Sequence, residues 1–220
     1  MSETTAANPT TTIHDIPLTW LLSDLNINRA NLSFGTNFRP TQVAKSGFIS
    51  RIKGTKQYID IDLSCLIFDH NCTLIDQVWF KQLRDKSQAI RHNGDSLNGK
   101  DRGSIPELDH NIDLEKIELH LTKLNPDAHH LALIVTSYYG QPLPALSHGS
   151  IKLTDDENNV IDLQDLTILP ETCNALWYAG LSRELGEWRV TMHKLALQHH
   201  SIPKIAEEIR NELLRSFVPN

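Results

Sequence analysis

The sequence predicts a mainly β fold, a two-sheet β-sandwich with a short helix near each terminus. Three observations predict it. Between residues 28 and 197 short alternating runs follow one another with turn residues between them. The clearest run, Tyr58–Phe68, carries a period-two pattern. Helical periodicity is confined to the two ends, which argues against a βαβ fold, where helices would recur between strands.

In chain order, residues 1–12 are rich in Thr, Ala and Ser, a composition that predicts a disordered tail. Asp15 is a candidate cap, with Pro17 in the first turn of a short helix. Leu18, Leu21, Leu22 and Leu25 then fall on one face of it. Residues 1–27 are therefore read as a tail plus an amphipathic helix, suited to docking on the domain or a partner. Trp20 in this stretch is a candidate anchor, although no Lys/Arg-rich face accompanies it.

Candidate strands of the central domain, 28–197, are Ala30–Phe34, Tyr58–Phe68, Gln77–Phe80, Asn111–His120, His130–Tyr138, Ser150–Thr154, Ala175–Leu181 and Glu187–Ala196. Asp69–Asn71, Asp155–Asn159 and Leu185-Gly186 read as turns. Trp79, Trp177 and Trp188 sit in apolar patterns and are read as core. Residues 198–220 return to a helical period. Ser201 is the expected N-cap, and Ile202, Ile205, Ala206, Ile209 and Leu213 form the stripe.

Composition excludes several functions. The chain has 220 residues and a net charge of −6, with no basic excess to meet nucleic-acid phosphates. No apolar run approaches the ~20 residues of a membrane helix. Three cysteines, Cys65, Cys72 and Cys173, without a Cys-x-x-Cys pair, suggest neither a disulfide framework nor a zinc knuckle. Cys72 lies in a turn, where an exposed thiol is expected. With no basic and apolar leader pattern at residues 1–12, a reducing cytoplasm is the expected compartment.

Two acidic segments carry the candidate chemistry. On the Tyr58–Phe68 strand, Ile59, Ile61, Leu63, Cys65 and Ile67 point one way and Asp60, Asp62 and Ser64 the other. Carboxylates two residues apart on one face are about 7 Å apart. They need a cation, an arginine or water between them, and a plain wet polar face satisfies that as well as a metal does.

The second segment is the Gly-rich stretch 92–109. Gly94 to Asp101 nearly spells a Walker A loop, but Asp101 stands where a magnesium-binding hydroxyl is required. Asn93, Asp95, Asn98, Asp101, Glu107 and Asp109 are instead hard oxygen donors of the kind calcium takes. Lys100 and Arg102 weaken that reading by repulsion. The adjacent pairs His129-His130 and His199-His200 diverge on either a strand or a helix and do not chelate readily. No hydrolase elbow or zinc-protease motif is present, and nothing separates Asp60 from Asp62 into an acid and a base.

Together the strand and loop resemble the TerD family of tellurium-resistance and bacterial stress proteins, in a divergent, TerX-like branch. Ile59-Asp60-Ile61-Asp62-Leu63-Ser64 resembles that family's Asp-x-Asp strand, and Val78-Trp79-Phe80 its following aromatic strand. The run from Ala89 to Gly99 resembles the signature V-x-H-x-G-D-N-x-T-G, and Gly186-Glu187-Trp188-Arg189 a later N-G-E-W-K.

The resemblance covers about residues 28–197. It implies a calcium-binding, non-catalytic β-sandwich active in tellurite resistance and stress defence. It also implies a cytoplasmic protein, peripheral to the inner membrane in assemblies with other tellurite-resistance proteins. Asp60, Asp62 and Asp95 are the implied metal ligands, with Asp101 and Asp109 assisting. The family's acidic triplet falls at Leu108-Asp109-His110, where one acid survives, and Ser96 replaces an Asn. These departures predict weakened calcium binding and keep a metal-free protein-interaction module open as the alternative.

Overall fold

Antiparallel pairing organises the chain. The computed structural model describes residues 17–27, 29–44, 55–94 and 113–216. Among these, β1 (Leu18–Leu21), β5 (Ile61–Phe68), β6 (Leu74–Val78), β9 (His130–Ser137), β12 (Ala175–Glu184) and β13 (Glu187–Ala196) form one sheet, in the order β1-β13-β12-β9-β5-β6. A second sheet has the order β11-β10-β2-β8-β7. It is built from β2 (Asn31–Phe38), β7 (Ile90–His92), β8 (Glu115–His120), β10 (Gly149–Asp155) and β11 (Val160–Asp165). A small hairpin pairs β3 (Gln42–Ala44) with β4 (Lys56–Tyr58). One long helix, α1 (Ile202–Ser216), follows the last strand.

The sheets share one apolar cluster. Phe34, Ile117 and Ile151 enter it from the five-stranded sheet, and Leu63, Leu133, Tyr178 and Val190 from the six-stranded sheet. Phe34 stacks on Tyr178, ring centroids 5.6 Å apart. Each fully buried aliphatic side chain here contributes roughly 1.5–3 kcal/mol. Trp177 and Trp188 are buried, as their patterns predict, and Cys65 lies in the core with its thiol pKa raised by burial.

A second apolar cluster lies on the other face of the six-stranded sheet. Ile202, Ile205, Ala206 and Ile209 of α1 pack there on Leu66, Phe68, Ala132, Ile134 and Trp177. The predicted stripe is therefore the buried one, and it leaves β5 covered on both faces.

Two turns follow their sequence signals. Asn158 takes a φ of 64° between β10 and β11, and Leu185-Gly186 takes positive φ at both residues between β12 and β13. Two consecutive left-handed residues match the twist of a tight hairpin.

Three expectations are corrected. Over Leu18–Leu21, where the N-terminal helix was expected, the chain is a strand paired with β13, Trp20 opposite Val190. The leucine spacing misleads because Leu18 is exposed, while β1 satisfies the backbone groups along β13 that a helix would leave open. The Gln77–Phe80 strand lies earlier, at Leu74–Val78. Cys72 is buried rather than exposed: Asp69 accepts hydrogen bonds from the Asn71 and Thr73 amides, at 2.9 and 2.8 Å, and turns the chain so that Cys72 points inward.

Candidate functional site

The acidic strand is built as its alternation predicts, but its polar face is not wet. Asp62 and Ser64 lie on β5, with Asp62 opposite Thr136 of β9. Asp60 immediately precedes the strand, and its carbonyl accepts the Tyr138 amide at 2.9 Å. Asp60, Asp62 and Ser64 are only 7%, 4% and 1% exposed. Further along the same face α1 packs on Leu66 and Phe68, and its start lies at the rim of the cavity that Asp62 and Ser64 line.

The stems of the Gly-rich loop are fixed on the five-stranded sheet. On the incoming side the Asn93 amide donates to the Lys116 carbonyl, and Asn93 Oδ1 accepts the Lys116 amide at 2.8 Å. Gly94 has a φ of 105°, a conformation L side chains rarely adopt. Its amide donates to His92 Nδ1 at 3.1 Å, which places the ring proton on Nε2. That nitrogen faces Glu115 Oε2 at 3.5 Å, with both side chains fully buried. The same Glu115 oxygen accepts the Leu63 amide at 3.1 Å. One carboxyl group thus links β8, the loop stem and the acidic strand β5.

On the outgoing side Asp113 pairs with Lys152 at 3.1 Å, directly over Gly35, where a Cβ would collide with the Asp113 carboxylate. Asp95, Asp101 and Asp109 lie outside the described residues.

Calcium takes six to eight oxygen ligands. Asp60 and Asp62 bring the right chemistry, two hard carboxylates at buried positions. Among the described residues, no group of three or more His, Cys, Asp or Glu side chains gathers as a metal site. The described carboxylates therefore do not by themselves make up a calcium shell. Two other acids are occupied structurally. Asp76 accepts the Gln77 and Lys86 amides, and Asp85 accepts the Ile90 amide at 2.7 Å.

Above β5 and β9 lies a cavity of about 400 Å³. Asp62, Ser64 and Thr136 line it, with Trp79, Phe80 and Tyr138 as aromatic wall and His200–Pro203 at the entry to α1. Trp79 meets Phe80 edge-on, centroids 4.9 Å apart, and Phe80 meets Tyr138 likewise at 5.6 Å. Sequence reasoning found Asp62 but missed Thr136 and Tyr138 beside it, and Glu115 at the junction of the sheets. Glu115 carried a signal: it shares the inward face of an alternating strand with Ile117 and Leu119. Thr136 and Tyr138 carried none, because their neighbourhood depends on strand pairing.

Comparison with known proteins agrees with this architecture. Residues 25–206 match the TerD domain family. A tellurium resistance protein TerZ from Serratia marcescens is 26% identical over 186 residues, which is 84% of this chain and 90% of that protein. The crystal structure of a homologue of a telluride resistance protein (TerD) from Streptomyces coelicolor A3(2) superposes with a TM-score of 0.64 at 12% identity. It covers 82% of this chain and 96% of its own. A second solved structure, of a protein of unknown function, gives 0.63 at 15% identity, covering 80% and 94%. At these identities the structural likeness concerns the fold.

Proposed function

The chain belongs to the TerD domain family, and on that premise we propose that it is a non-catalytic stress protein of the tellurium-resistance class that responds to calcium. The TerZ relative, aligned over most of both chains, supports the tellurium-resistance assignment. The observation that carries the calcium reading is the burial of Asp60 and Asp62 on one short segment. Two carboxylates held close together with little water around them are hard oxygen donors of the kind calcium takes. In this reading Asp60, Asp62 and Asp95 hold the ion, Asp101 or Asp109 complete the shell, and the ion supplies positive charge that ties the loop to the strand.

The working unit is a two-sheet β-sandwich over residues 28–197, with 198–220 as an appended helical cover. The protein acts in the cytoplasm, peripheral to the inner membrane, with other tellurite-resistance proteins. No helix among the described residues is long and apolar enough to cross a membrane. Among the described residues, eleven of the thirteen strands lie in the two main sheets, a scaffold suited to presenting loops to partners.

The test is a thermal melt in calcium, in chelator and in magnesium. Calcium at a hundredfold excess over Kd should raise Tm by about 5–10 °C, and Asp60→Ala should abolish the rise. No rise with the wild-type chain would leave the metal-free interaction module, whose mark is partner co-purification that persists in chelator.

A further inference from the structure

Another cavity opens at the end of the sandwich opposite Asp60 and Asp62. β5 runs from Ile61 beside Ser137 to Phe68 beside His130, and Ser182 of β12 flanks His130 on its other side. Arg183 therefore stands roughly 20 Å of strand away from Asp62. There a cavity of about 400 Å³ lies between the turn at residues 22–27, the short 3-10 turn Leu121–Lys123 and the β12–β13 hairpin. We infer that it binds a compact organic monocarboxylate, an apolar body carrying one negative charge, with Arg183 as the counter-ion. Its volume lies within the usual range of ligand pockets, roughly 300–1,000 Å³.

Arg183 lines this cavity as a positioned cation without an anion. Its guanidinium carbon lies over the Trp188 ring, 4.8 Å from the centroid, and its Nη1 donates to the Pro126 carbonyl at 3.2 Å. These contacts hold the group in place and leave its charge uncancelled. The other charges of the hairpin, Glu184 and Arg189, pair with each other at 2.9 Å. Among the described residues no carboxylate forms an ion pair with Arg183. Partial burial pulls its pKa below the ordinary arginine value, as befits a cation that has lost water. A guanidinium presents coplanar donors that match the two oxygens of a carboxylate. Around it the walls are apolar, from the buried Leu22, Ile27, Leu121 and Trp188, and these meet the body of the ligand.

Glu187 sets the number of charges. It lines the same cavity, and its Oε1 accepts the Ser23 amide at 3.2 Å. That amide is neutral and does not cancel the carboxylate, so a second anionic group on the ligand would meet a like charge at short range. Arg183 thus balances one negative charge and Glu187 discourages two, which favours a monocarboxylate over a dicarboxylate or a phosphate. The site uses neither Asp60 nor Asp62, so it and the calcium reading stand or fall separately.

Benzoate is titrated into the full chain in buffer stripped of metal over a chelating resin. NMR follows the Trp188 indole N–H, identified by its loss in Trp188→Phe. Benzyl alcohol, benzylamine and phthalate are the matched neutral, cationic and dianionic probes. Benzoate should shift the Trp188 signal saturably, and each control should bind at least tenfold more weakly. Arg183→Gln should weaken benzoate at least tenfold. Glu187→Gln, which keeps an acceptor for the Ser23 amide, should narrow the gap between phthalate and benzoate several-fold. Absence of a saturable shift overturns the inference. So does any control that binds as well as benzoate, or unchanged benzoate affinity in Arg183→Gln. Should Arg183→Gln not fold, Arg183→Lys takes its place: a several-fold loss for benzoate is expected from the missing planar donors, and unchanged affinity overturns the inference.

Discussion

The outer faces of the two sheets treat polar residues in opposite ways. In the five-stranded sheet β8 alternates buried and half-exposed residues along its whole length, and Lys152 and Asp113 sit at the edge of solvent. In the six-stranded sheet β5 and β9 are buried at every residue. The cause is α1, which puts Ile205 and Ile209 on the outer face of one sheet only. An alternating polar residue on the first sheet is ordinary solvated surface. The same pattern on the second, at Asp62, Ser64 and Thr136, is a polar cluster withdrawn from water. Such a cluster, lining a cavity rather than open surface, is the better place to look for a ligand.

The most severe way to break this arrangement is at the junction of the two sheets. Glu115→Ala removes the acceptor of the Leu63 amide and the group facing His92 Nε2, and leaves a void in the core. The buried Leu63 amide left without its acceptor, together with a cavity, should cost about 3–5 kcal/mol. Glu115→Gln keeps an acceptor oxygen and should lose less than half as much. Chemical denaturation of the two variants separates them, and equal losses would show that hydrogen bonding to Leu63 is not what Glu115 provides.

Removing the cover comes next. Ile209→Ala should cost about 2–4 kcal/mol, and the loss should be accompanied by faster amide exchange along α1 than along β8. If α1 stayed protected, docking would not rest on this stripe, and the burial of Asp62 would need another cause.

The third effect is a pH dependence that arises on the covered sheet. His193 of β13 stacks on Trp177, ring centroids 3.7 Å apart. Burial there pushes its pKa down to about 4 from 6.5. The folded chain thus resists a proton that the unfolded chain accepts. Stability is full above about pH 6.5, falls as the pH drops toward 4, and levels off below that, for a loss on the order of 3 kcal/mol. Burial also holds the His130 pKa below its ordinary value, so its contribution has the same sign. A His193→Phe variant should flatten most of the slope between pH 6.5 and 4, and an unchanged slope would assign it elsewhere.

The contrast between the faces also marks where sequence reading stops. The inward face of β5, the α1 stripe and the tight hairpin turns were legible because each depends on local period or turn chemistry. The burial of Asp62 was not, since it requires a helix that starts 140 residues later to return over the strand. The β1 segment misled for a related reason. Its leucines satisfy a helical period, but β13 offers unpaired backbone groups, and pairing with them outweighs a short isolated helix. Of the candidate ligands, Asp60 and Asp62 have described, buried positions, whereas the loop acids Asp95, Asp101 and Asp109 stay sequence-level expectations.

The smallest expected effect is the control on the solvated face. Lys152 pairs with Asp113 at 3.1 Å, and each side chain keeps 17% of its exposure. Partial solvation screens the pair, so Lys152→Ala should cost about 1 kcal/mol or less, and less still in high salt. Asp113→Ala should cost about the same, because it removes the same partly solvated pair. A double variant should then come close to either single one, since each removes the same interaction. Should these changes instead rival Ile209→Ala, the five-stranded sheet would also depend on its outer polar groups. Burial by α1 would then cease to be what distinguishes the two faces.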